Sequence, residues 1–96
     1  MSTKEIRVRT ASDGTYTYER DFRGVVRAVE VLLGDLSTPD VAVTDGTYGT
    51  SVYSGSALAV DTKSGLLNVV VMGTLKVAVT GGGDTKRGTV NVLVET

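Results

Sequence analysis

Apolar and polar side chains alternate along most of this 96-residue chain with a period of two, the repeat of a strand that buries one face. Ile6 and Val8 alternate with Arg7 and Arg9, and Thr15-Tyr16-Thr17-Tyr18 alternates again after Asp13-Gly14. Asp-Gly between two such runs is a tight-turn signal, so residues 4–21 are expected to form a β-hairpin. Near the other end, Leu75, Val77 and Val79 alternate with Lys76, Ala78 and Thr80, and Val90, Val92 and Val94 with Asn91, Leu93 and Glu95. The stretch Gly81 to Gly88, GGGDTKRG, turns the chain between them, which predicts a second antiparallel hairpin.

Residues 22–34 carry two periodicities at once. Phe22, Val25, Val26, Val29, Leu32, Leu33 and Leu36 fall near helical spacing, with Gly34 placed as a C-cap would be. Val25, Val29, Val31 and Leu33 also share one strand face, with Val26, Ala28 and Leu32 on the other. Valine dominates Val25–Leu33 and Gly24 would open a helix badly, so a strand is expected, central in its sheet because both faces are apolar. Gly34 to Asp40 is a loop, Val41 and Val43 make a short strand, and Asp45-Gly46 turns it. Ser51 to Val60 alternates loosely, with Gly55 marking a bulge or kink. Asp61 to Gly65 is a polar loop, and Leu66 to Met72 is a near-continuous apolar run that predicts a buried strand.

Composition agrees with this pattern. The chain holds 17 valines, 14 threonines and 12 glycines but a single proline, a balance that favours pleated strands and tight turns over helix. Seven or eight short strands with regular turn signals predict an all-β fold: a small antiparallel β-sandwich or partly closed barrel, jelly-roll or Ig-like, in one domain over residues 1–96. No apolar run approaches the ~20 residues of a membrane helix. Met1 to Thr10 carries Lys4, Glu5, Arg7 and Arg9 in place of a signal peptide's apolar centre.

Candidate chemistry is sparse. Cysteine and histidine are both absent, which removes disulfides, thiolate and imidazole metal ligands, and the usual base and nucleophile. Ser51, Ser54, Ser56 and Ser64 have no imidazole partner, and Lys63, the one lysine beside a serine nucleophile, lies in a polar turn where it stays solvated. Gly81-Gly82-Gly83 before Asp84, Thr85 and Lys86 lacks the Gly-Lys-Ser/Thr order and the following helix of a phosphate loop, and reads as a flexible hairpin tip. Asp35, Asp40, Asp45, Asp61 and Asp84 fall in loops without calcium-loop spacing, so they are expected to staple turns. No catalytic, cofactor-binding or metal-binding residue, and no cofactor, is assigned.

Ten basic and eleven acidic side chains leave a net charge of −1, which argues against a nucleic-acid partner. Six of the basic residues, Lys4, Arg7, Arg9, Arg20, Arg23 and Arg27, lie in the first 27 positions. They form either a solvated face or a patch suited to an acidic protein surface. Tyr16, Tyr18, Tyr48 and Tyr53 are candidate interface anchors, with at least one of the Tyr16/Tyr18 pair available to the core instead.

Three segments carry a resemblance. Phe22-Arg23-Gly24-Val25-Val26-Arg27-Ala28-Val29-Glu30-Val31, the loop Ser37-Thr38-Pro39-Asp40-Val41-Ala42-Val43-Thr44, and the ending Gly73 to Val79 with Gly88 to Glu95 resemble small structural proteins of tailed bacteriophages. That resemblance implies a non-enzymatic virion component on the capsid exterior, made in the host cytoplasm. It would decorate or cement the shell by binding the major capsid protein. It also implies a homo-oligomer, a trimer by preference, with no nucleic-acid or membrane partner. Two alternatives stay open: a neck or tail adaptor of the virion, and a free-standing carbohydrate-binding or adhesin-like sandwich. The last predicts Tyr48 and Tyr53 together on an exposed platform.

Overall fold

A computed structural model describes residues 1–96 and contains nine β-strands and no helix: β1 (Ser2–Arg9), β2 (Tyr16–Asp21), β3 (Gly24–Leu32), β4 (Asp40–Asp45), β5 (Ser51–Gly55), β6 (Thr62–Lys63), β7 (Val69–Val71), β8 (Thr74–Thr80) and β9 (Arg87–Glu95). They form two antiparallel sheets. Sheet A runs β1-β9-β3 and ends in β6 and β7, which both pair with β3; sheet B runs β2-β8-β4-β5. Neither sheet continues into the other, so the molecule is a β-sandwich and not a barrel.

The two hairpins expected from the local turn signals do not form. β1 pairs with β9 and β2 with β8, so Asp13-Gly14 and the triglycine each carry the chain across from one sheet to the other. The pairing is nested: β1 with β9, β2 with β8, β3 with β6 and β7, and β4 with β5. The chain is thus one long hairpin whose only tight reversal between neighbouring strands lies at 46–50. Rolled up so that β9 also joins β3 and β8 also joins β4, it is a jelly roll.

Residues 22–34 are strand over Gly24–Leu32, as the valine content requires, and β3 is central in sheet A. Their faces differ from simple alternation. A bulge falls between Val26 and Ala28, and the extra residue, Arg27, shifts the phase so that Val26, Val29 and Val31 all point inward. A second irregularity lies between Val43 and Thr44 opposite β5, not at Gly55, which ends its strand under Tyr53 and Leu58.

Between the sheets, Ile6 and Val8 from β1, Val90, Val92 and Val94 from β9, and Leu75, Val77 and Val79 from β8 join nine further side chains in a single core. Each fully buried valine or leucine is worth about 1.5–3 kcal/mol of transfer free energy, and strand alternation delivers them without a helix. The apolar run Leu66 to Met72 is the exception: only Val69–Val71 is strand, and of those three only Val71 is buried. β7 lies at the rim of sheet A, where a continuous apolar stretch has one face with nothing to pack on.

Edge strands β1 and β2 lie at the same side of the sandwich, and each carries a cation at an inward position. Lys4, opposite buried Val92, stands over the Phe22 ring at 5.4 Å. Arg20, opposite buried Leu75, stands over the Tyr18 ring at 5.2 Å. Inward charges of this kind discourage a further strand from pairing with an open edge.

The upper end of the sandwich gathers the crossings 10–15, 33–39, 56–61 and 81–86. Thr10, 2% exposed, donates its hydroxyl to the Gly83 carbonyl at 2.6 Å and accepts from the Lys86 amide at 2.8 Å. The Gly82 amide donates to Gly14 O, and the Ser37 amide to Gly82 O, both at 3.0 Å. The triglycine is therefore a pinned corner and not a flexible tip. The lower end gathers 22–23, 46–50 and 72–73.

Candidate functional site

The lower end carries the candidate site, and a buried carboxylate organises it. β4 ends at Asp45, 1% exposed, beneath the reversal 46–50. Its Oδ1 accepts from the amides of Thr47 at 3.0 Å, Tyr48 at 3.3 Å and Thr74 at 3.3 Å, and its Oδ2 from the amide of Met72 at 2.9 Å. Burial pushes this carboxyl up, but the amides of Met72, Thr47, Thr74 and Tyr48 together more than offset it and hold it below its usual 3.8. Further bonds lock the same segments: Thr47 Oγ1 to Thr74 Oγ1 at 2.7 Å, the Gly46 amide to Thr74 O at 2.9 Å, and the Phe22 amide to Gly73 O at 3.0 Å. Gly73 must lack a side chain, since a Cβ there would meet the Thr47 side chain at 2.5 Å.

Above this anchor lies an apolar surface. Tyr48, Val70 and Met72 are 68%, 55% and 60% exposed. With half-buried Val25 they line a shallow recess of about 380 Å³. A second recess of about 450 Å³ lies beside it, between Asp21, Phe22 and Gly73. Arg23 and Met72 line both. Arg23 takes part in none of the three ion pairs of the chain, so its guanidinium is open to an incoming acceptor. Tyrosine, methionine and arginine are the types enriched where proteins meet, and a surface whose backbone is already fixed loses little entropy on binding.

The six early cations do not form one patch. Lys4 and Arg20 take the inward edge positions, Arg7 pairs with Glu5 at 2.9 Å and Arg27 with Glu95 at 3.3 Å. Arg9 faces Arg87 across β1 and β9. Arg23 lines both lower-end recesses, and Lys4 approaches the same end over the Phe22 ring. Of the tyrosines, Tyr16, Tyr18 and Tyr53 are half-buried against the core, so Tyr48 and Tyr53 do not form a shared exposed platform.

The aspartates divide: Asp13, Asp45 and Asp84 bond within their own turns, whereas Asp35, Asp40 and Asp61 tie together segments distant in sequence. Asp40 and Asp45 begin and end strand β4 instead of lying in loops. Asp40 accepts from the Ala57 amide at 2.7 Å, Asp61 from the Leu33 amide at 2.9 Å, Asp35 from the Arg87 amide, and Asp84 from the Thr85 hydroxyl at 2.7 Å. Asp13 accepts from the Thr15 hydroxyl and amide, which hold it below its usual value. Ser64 accepts from the Val29 amide and donates to Gly65 O, while Lys63 pairs with Glu30 at 3.6 Å. That arrangement gives neither Ser64 nor Lys63 the setting of a nucleophile.

Sequence reasoning singled out Arg23 and Tyr48 but missed Val70 and Met72, because an apolar run carries no mark of which members will be covered. No protein-family model matches the chain, and no curated protein is significantly similar to it.

Proposed function

We propose that this chain is a non-enzymatic structural protein of a tailed-bacteriophage virion, which decorates or cements the capsid with its lower end seated on the major capsid protein. One observation carries the reading: Tyr48, Val70 and Met72 stand exposed around an unpaired Arg23, on a backbone that Asp45 holds in place. Such a surface suits a protein partner whose own surface is apolar with a carboxylate at its centre. The resemblance of residues 22–31, 37–44 and 73–95 supplies the virion setting, the capsid exterior and a homo-oligomer, a trimer by preference. The jelly roll itself serves capsid and lectin domains alike and carries no weight alone.

Quantitative mass spectrometry of purified particles, counting this chain against the major capsid protein, tests the reading. A near-stoichiometric ratio is expected. A handful of copies per particle moves the chain to the neck or tail, and absence from the particle overturns the proposal. Met72→Asp is expected to release the protein from particles while leaving its circular dichroism unchanged.

A further inference from the structure

On the outer face of sheet A lies a recess of about 530 Å³, the largest of the molecule. Its floor is Ala28 and Leu93, cross-strand partners on β3 and β9. Leu66 stands on its rim and is 93% exposed, an extreme for an aliphatic side chain. It is held there by backbone bonds on either side. The Ser64 amide donates to Val29 O at 2.8 Å, the Leu67 amide donates to Arg27 O at 2.6 Å, and Gly65 at φ 76° turns the chain outward between them. The leucine is a fixed projection beside an apolar hollow.

We infer that the occupant of this recess is Leu66 of a second copy of the chain. A projection and a hollow on one face are self-complementary, and a symmetry axis beside them sets each Leu66 into the hollow of a neighbour. Charge agrees: the flank carries one cation and one anion, Lys63 and Glu30, already paired, so like copies meet without repulsion. The lower end, by contrast, presents an unpaired arginine, which two copies would bring together. This inference deepens the oligomeric part of the proposed function and is independent of docking on a shell.

Sedimentation equilibrium of the purified chain, from about 10 µM to about 1 mM, tests it with two variants that alter opposite sides of the contact. Wild type is expected to associate into two or three chains. Leu66→Asp and Ala28→Lys are each expected to weaken association about tenfold or more, with circular dichroism unchanged. Mixed together, they are expected to associate again, because each retains the half the other lacks and Asp meets Lys across the altered half. Thr17→Asp, on the exposed outer face of sheet B, is expected to associate as wild type does. A monomeric wild type, wild-type association by Leu66→Asp, or a mixture that stays monomeric would overturn the inference. Particle mass spectrometry reads the docking proposal separately, so either can fail alone.

Discussion

The amide of Gly82 donates to the carbonyl of Gly14 across 3.0 Å, joining two corners that lie near opposite ends of the chain. Each corner carries a strand from one sheet into the other, and each passes through positive φ, at 81° for Gly14 and 68° and 91° for Gly81 and Gly83. The bond closes the upper end of the sandwich where no strand pairing does.

Gly14→Ala is therefore expected to destabilise more than Gly81→Ala. Both place a Cβ at positive φ, at about 1–2 kcal/mol. Only Gly14 adds crowding, with a new Cβ 3.1 Å from Gly83 N, whereas Gly81 faces open space. Urea denaturation should give about 2–3 kcal/mol for the first and about 1 kcal/mol for the second.

Acid should loosen the lower end. Asp45 titrates below its usual 3.8 in the folded chain, so its ionised form stabilises the fold fully above about that pH. The contribution is lost as pH falls through the lowered value. Asp45→Asn turns an amide donor toward the amides it faces, which lowers Tm at neutral pH. It also flattens the acid limb of Tm against pH, as calorimetry from neutral to acid pH would register.

Leu75 and Leu66 are the same residue type at opposite extremes, 0% and 93% exposed. Leu75→Ala should cost about 2–5 kcal/mol by leaving a cavity between the sheets. Leu66→Ala should stay within about 0.5 kcal/mol in the monomer. Chemical denaturation of both variants at low protein concentration measures the contrast.

Much of the fold was legible in the alternation: β1, β2, β8 and β9 lie where period two places them, and valine outweighed the helical spacing of residues 22–34. The bulge at Arg27, however, put Val26 on the opposite face from the one alternation gave it. The pairing was not legible, because Asp13-Gly14 and Gly81-Gly82-Gly83 carry the same local signal whether the chain reverses within a sheet or crosses between two. Long-range register decides that, and no short window contains it. The candidate site was half legible. Arg23 and Tyr48 stand out by type, whereas exposure of Val70 and Met72 follows from β7 lying at a rim.

Removing the inward cations should leave stability near that of wild type and change solubility. Lys4→Val with Arg20→Val supplies apolar side chains toward the core at two open edges, and such edges recruit further strands. Light scattering at rising concentration is expected to show aggregation that neither wild type nor an Arg9→Val control shows.

Arg9 and Arg87 oppose each other across β1 and β9, and like charges so placed repel. Arg9→Glu is expected to stabilise the chain by about 0.2–1 kcal/mol, with the gain shrinking as salt screens the pair. Thermal melts at low and high ionic strength would measure it.

The nesting of β1 against β9 also bears on how the chain is made. The sole partner of β1 in sheet A is β9, nearly eighty residues downstream, so during translation β1 waits several seconds at ~5–20 residues per second with nothing to pair to. Sheet A cannot close before β9 has emerged, whereas β4 and β5 are close enough in sequence to pair as soon as both are clear of the ribosome. Lys4, placed inward on β1, guards the waiting strand against a wrong partner.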